Sequence, residues 1–132
     1  LEEALKRCQG KAVINSINLE DGEERFEKVV PLLRAYGAAV VVGCIDENKQ
    51  QGMAVSRDRK LEIAQRSFDL LTGKYGRPAR DLFFDPMVFP VGTGHARHTE
   101  YAAVSKVGSD ARVGHGCAQY LERERGVLWM IR

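Results

Sequence analysis

Cysteine is scarce and scattered in this chain: Cys8, Cys44 and Cys117 are the only three. An odd, widely spaced set excludes a disulfide framework and a zinc knuckle. A reducing cytoplasm is therefore the expected compartment, with Cys44 a small buried hydrophobe inside an apolar run. No leader peptide is visible, since Leu1 opens directly into charged helical sequence. Long apolar runs are missing too. None approaches the roughly 20 residues that cross a bilayer, so no membrane span is expected. Charge of one sign is also lacking, for 20 Lys and Arg stand against 18 Asp and Glu, interspersed, at net +2. That leaves no basic face for nucleic acid and no polybasic segment for anionic lipid. Nucleotide-binding glycine motifs are absent: no Gly-x-Gly-x-x-Gly follows a strand pattern, and no Gly-x-x-x-x-Gly-Lys-Ser/Thr occurs. His95, His98 and His115 are too dispersed for a metal site, because the first pair lacks a nearby third ligand.

What remains is a chain of 132 residues, 44% apolar and 29% charged, of globular type and one domain at most. Its organising stretch is Leu82-Phe83-Phe84-Asp85-Pro86, continuing to Gly92-Thr93-Gly94. A short apolar run reads as a buried parallel strand and stops at a carboxylate. Pro86 lacks an N–H and cannot extend the ladder. An acid at the carboxyl end of a buried strand, before a glycine-bearing loop, is where α/β proteins place chemistry. Taken alone, Asp-Pro is also a common turn starter.

The rest of the chain supplies the context. Residues 1–9 carry Leu1, Ala4, Leu5 and Cys8 at helical spacing, and Gly10 stops them. Ala12-Val13-Ile14 is β-prone, and Asn15-Ser16-Ile17-Asn18 follows as turn residues or as ligand-facing ones. Asp21, with Glu24 three residues on, reads as a capping box. Phe26, Val29, Val30, Leu33 and Tyr36 mark a helix face, with Pro31 awkwardly inside and Gly37 ending it. Residues 38–45 form the clearest strand, continuous and β-branched, and it ends at Asp46-Glu47. The spacing predicts a long helix over 57–75, with a stripe through Leu61, Ala64, Phe68 and Leu71 that Ile63 and Leu70 widen. Arg57, Arg59, Lys60, Glu62, Arg66 and Asp69 are expected on its wet face. Three strands separated by helices imply a parallel sheet, and Asn15, Asp46 and Asp85 then end neighbouring strands on one side. That convergence favours a ligand rim. It suits a doubly wound sheet or part of a (β/α)8 barrel. From His95 onward the alternation fades, and no strong strand pattern returns before Val127-Leu128-Trp129-Met130-Ile131.

Several of these motifs, in order, resemble the pterin-binding domain of cobalamin-dependent methionine synthase. They are Val13-Ile14-Asn15-Ser16-Ile17-Asn18, Gly37-Ala38-Ala39-Val40-Val41-Val42, Ile45-Asp46-Glu47 with Gly52-Met53-Ala54, Arg59-Lys60-Leu61-Glu62-Ile63-Ala64, and Phe84-Asp85-Pro86 through Gly92-Thr93-Gly94. Dihydropteroate synthase carries similar strand-end Asn and Asp-Pro signatures. The resemblance implies an α/β fold whose parallel βα units are about strands four to six of a (β/α)8 TIM barrel. It implies methyltetrahydrofolate as the ligand, with Asn15, Asp46 and Asp85 as pterin-binding residues; no residue is assigned to catalysis or to metal. In the family the folate methyl group passes to cobalamin, held by another module, and then to homocysteine in a zinc-bearing domain. This segment itself is expected to bind neither cobalamin nor zinc.

The resemblance covers residues 1–94; residues 95–132 are expected to form a divergent tail. The family's later Ser-Asn-Val-Ser motif is missing. Leu121-Glu122-Arg123-Glu124 has codon choices that spell that motif one base later, so we read the tail as frame-shifted. The remaining barrel strands and the homocysteine, cobalamin and activation modules are not in the sequence. Three strands cannot close a barrel of eight, and their edges stay open. Marginal stability and weak folate binding are thus expected of the chain alone. The rival readings are another pterin enzyme, namely dihydropteroate synthase or a methyltetrahydrofolate:corrinoid methyltransferase, or a truncated product that binds nothing.

Overall fold

The computed structural model describes residues 1–54 and 56–87, together with a short strand at Leu128–Trp129. Element order is α1 (Glu2–Leu5), β1 (Val13–Leu19), α2 (Glu24–Tyr36), β2 (Ala39–Asp46), α3 (Arg57–Asp69), β3 (Leu82–Asp85) and β4 (Leu128–Trp129). A π-helical turn, Leu70–Lys74, extends α3, and a 3₁₀ turn, Ala79–Asp81, leads into β3. The four strands form one sheet in the order β1-β2-β3-β4, every pair parallel. The expected alternation of parallel strand and helix is therefore present. The histidines and almost all of the tail lie outside the described residues.

Burial explains where the elements depart from the sequence pattern. The expected helix over 1–9 shrinks to four residues. Only Leu5 of its apolar positions is buried, and so short a segment has little packing to offset its nucleation cost. β1 runs on through the polar Asn-Ser-Ile-Asn segment to Leu19, because Ile17 and Leu19 are fully buried and hold the strand in the core. Asn15 is thus inside a strand and not at its end. The ladder to β2 shifts register around Ser16, where the Asn15–Ser16 peptide is cis, and again before Leu19. Helix α2 starts at Glu24 with no side-chain cap, so Asp21 lies in the preceding turn and the capping box does not form. Ser56, by contrast, caps α3 by accepting from the Arg59 N–H at 3.3 Å.

One sheet face packs on α2 and α3. Ile14, Val40, Val42, Leu82 and Phe84 meet Phe26, Val30 and Leu33 of α2 and Ile63 and Phe68 of α3 in a single core. The Phe68 and Phe84 rings are neighbours in this layer, with centroids 6.5 Å apart. The expected stripe is buried at Ile63, Ala64, Phe68 and Leu71; Lys60 and Ser67 join it, while Leu61 is only half-buried.

At the amino ends of the strands sits a buried ionic cluster. Arg77 Nη2 donates to Ala38 O at 2.8 Å and to Asp81 Oδ2 at 3.2 Å, and Lys11 Nζ donates to Asp81 Oδ1. It ties the entries of β1, β2 and β3 together.

Beyond β2 the chain folds back. The Asp46 N–H donates to Gly52 O at 3.0 Å, and Ile45 bridges Met53. A Cβ on Gly52 would stand 2.5 Å from Asn48 O and 2.7 Å from Asp46 O. Those are backbone atoms that no rotamer change removes. Gly52→Ala is expected to destabilise the chain by about 1–3 kcal/mol, seen as a lower urea midpoint at unchanged slope.

Candidate functional site

Strand alternation sorts the side chains between two faces. Phe84 and Val42 point to the helices, so Asp85, Phe83, Gly43 and Val41 belong to the opposite face. Asp85 pairs with Gly43, and one same-face step earlier Phe83 pairs with Val41 and Val41 with Asn15. Asn15 and Asp85 therefore share the face turned away from α2 and α3. Two strand spacings and one same-face step separate their Cα atoms by about 12 Å.

Asp85 is half-buried at the carboxyl end of β3. Its Oδ1 accepts the Met87 N–H at 2.9 Å, which closes a tight turn around Pro86. Met87 takes a left-handed backbone, φ 56°, uncommon for a side chain of its size. Oδ2 of Asp85 has no hydrogen-bond partner among the described residues and stays available to a donor.

Asn15 is exposed and makes no side-chain hydrogen bond to a described residue. Asn18, which the sequence left open as a turn residue or a ligand-facing one, joins the same face. Its Cβ lies 3.7 Å from where a Cβ on Gly43 would be, and Met87 Sδ lies 3.9 Å from that point. Asn18 Oδ1 accepts the Glu20 N–H at 3.1 Å and fixes the chain as it leaves β1. Gly43 thus keeps the sheet free of a side chain between Asn18, Asp85 and the Met87 thioether. The signal for Asn18 is weak in sequence, because a plain alternation from Asn15 puts it on the helix face. Only the irregular ladder at Ser16 returns it to this one.

Asp46 departs from the expected trio. It shares the strand terminus but not the face, since it pairs with Leu19 and follows Cys44 in the helix-side row. Its Oδ2 is held by Arg59 of α3, and its Oδ1 accepts the Asn48 N–H at 3.2 Å. The carboxylate is buried and its partners come from the protein. Next to it Glu47 is bound by both Arg66 contacts, at 2.9 and 3.0 Å. Its own backbone N–H and then Arg66 hold its carboxyl below the usual range. Asp46, Glu47, Asn48, Arg59, Glu62, Ile63 and Arg66 line a cleft of about 290 Å³ on this helix side. Its acids and guanidinium groups largely satisfy one another, and it is separate from the face that carries Asp85.

Among the described residues no group of three or more His, Cys, Asp or Glu is placed to hold a metal ion. No described helix is long and apolar enough to cross a membrane. What the Asp85 face offers is recognition chemistry. A carboxylate oxygen accepts from N–H donors, carboxamides both donate and accept, and Gly43 and the Met87 thioether lie beside them. That set suits a planar heterocycle with a mixed donor and acceptor edge.

A family model described as pterin binding enzyme matches residues 1–114. Its members are TIM-barrel enzymes, and the parallel βα alternation seen here is that of part of such a barrel. With the match spanning most of the sequence, this chain belongs to the pterin-binding enzyme family.

Proposed function

We propose that this chain is the methyltetrahydrofolate-binding segment of a methionine synthase, with Asp85 and Asn15 as its pterin ligands. The observation that carries the reading is the shared face: one Asp85 carboxylate oxygen has no partner among the described residues, and Asn15 lies two strands away on the same side of the sheet. A pterin's aminopyrimidine edge presents adjacent N–H donors that a carboxylate accepts with charge assistance. A carboxamide such as that of Asn15 or Asn18 complements mixed positions on the ring. Asp46, held by Arg59, takes the part of bracing the rim. Methyl transfer from N5 requires the departing amine to gain a proton, so a site that tolerates positive charge there favours the reaction. A cobalamin carried by another module of such an enzyme supplies the methyl acceptor.

Family membership supports the pterin, and the ordered Gly-Ala-Ala-Val-Val-Val, Asp-Glu and Met-Ala segments favour the methionine synthase branch over dihydropteroate synthase. The test is a titration of the folded chain, with folding checked by circular dichroism, against methyltetrahydrofolate and against a hydroxymethyl dihydropterin, followed by pterin fluorescence. Saturable binding that prefers methyltetrahydrofolate is expected. Preference for the dihydropterin moves the chain to the synthase branch. A folded chain that binds neither removes the reading.

A further inference from the structure

We propose that Lys60 is a positioning residue for Asp85, acting through the backbone of Met87. This inference rests on the pterin reading of Asp85 and adds a residue that reading does not use.

Lys60 lies in the first turn of α3, on the helix side of the sheet, and only 4% of it is exposed. A buried ammonium is costly unless hydrogen bonds compensate it. Its Nζ donates to Met87 O at 3.4 Å, in the loop that leaves β3. The Met87 N–H in turn donates to Asp85 Oδ1 at 2.9 Å. Met87 is thus gripped at both of its backbone polar groups, its carbonyl by α3 and its amide by Asp85. Its left-handed φ of 56° needs such support, because L side chains seldom adopt it unaided. The same conformation lays the Met87 thioether beside Gly43, on the ligand face. Releasing the carbonyl frees the turn, and with it the carboxylate oxygen that the turn holds. Oδ2 then loses its fixed aim, and Met87 its place at the edge of the site.

The neighbouring cations on α3 act elsewhere: Arg59 holds Asp46 and Glu62, and Arg66 holds Glu47. A lysine stem is long and flexible enough to carry its charge from α3 to the loop beyond β3, and an apolar residue would fill the same space without reaching an acceptor.

The experiment compares the parent chain with Lys60→Met, which keeps a similar stem without the charge, and Lys60→Arg, which restores a donor. Amide hydrogen exchange at Met87 is expected to speed up about 10-fold in Lys60→Met, with the Phe68 amide unchanged, and to recover in Lys60→Arg. Methyltetrahydrofolate affinity is expected to fall about 10-fold in Lys60→Met and to recover in part in Lys60→Arg. In an Asp85→Asn background, the same Lys60→Met change is expected to cost less than about 2-fold, because the two residues act on one contact. Unchanged Met87 exchange, unchanged affinity, or a loss that simply adds to that of Asp85→Asn overturns the proposal. A folded parent that binds no methyltetrahydrofolate sinks the pterin reading instead, and the Met87 exchange arm still decides whether Lys60 sets this turn.

Discussion

Asp85→Asn is expected to weaken methyltetrahydrofolate binding by about 100-fold, a loss near 3 kcal/mol, while the chain stays folded. The substitution is selective because the two carboxylate oxygens have different duties. Oδ1 takes the Met87 N–H, and a carboxamide oxygen can do the same, so the turn around Pro86 survives. On the proposed reading Oδ2 is the oxygen that meets the ligand, and in the variant an NH₂ group takes its place. A donor then faces the donors of the pterin edge, and the charge that strengthened those bonds is gone. Fluorescence titration of parent and variant measures the ratio, and unfolding in urea shows whether the fold is kept. Equal affinities would place the ligand away from β3.

Asp81→Ala is expected to cost about 3–5 kcal/mol of stability, the range for breaking one side of a buried ion pair. Side chains of both Asp81 and Arg77 are 7% exposed. Without the carboxylate, the Arg77 guanidinium remains buried with only Ala38 O for its Nη2, and its Nε is already buried without a partner. Lys11 has half its side chain in solvent and loses little, so most of the cost falls on Arg77. Against a typical total of about 5–15 kcal/mol this is a large fraction, and a marginal chain would not withstand it. Thermal unfolding followed by circular dichroism reads the change. The double variant Arg77→Met with Asp81→Ala is expected to recover part of the loss, since it removes the stranded charge as well. A single variant as stable as the parent would show that Arg77 finds water instead.

The sequence made the sheet legible because β2 is continuous and β-branched, and because helices stand between it and its neighbours. Asp85 was legible for a similar local reason, an apolar run cut off by an acid and a proline. Asp46 shows the limit of that reasoning. A strand-end acid is visible in sequence, but which face it takes depends on parity, and Arg59 claims it from the helix side. Asn15 was placed at a strand end because its polar neighbours resemble a turn. Burial of Ile17 and Leu19 outweighs that local preference and carries the strand onward. Lys60 was assigned to a wet helix face on charge alone. It is buried, and its Nζ meets the backbone of a loop 27 residues away, a contact that no helical periodicity encodes.

The ionic cluster of Lys11, Arg77 and Asp81 closes the sheet at the end opposite Asp85. Four residues of strand put about 13 Å between Asp81 and Asp85, and at an effective dielectric of about 20 two unit charges that far apart interact by only about 1 kcal/mol. A change of charge beyond the carboxyl ends of the strands is therefore a small perturbation at the clamp below. A library that randomises the loops there to accept other heterocycles can draw on a foundation it barely disturbs.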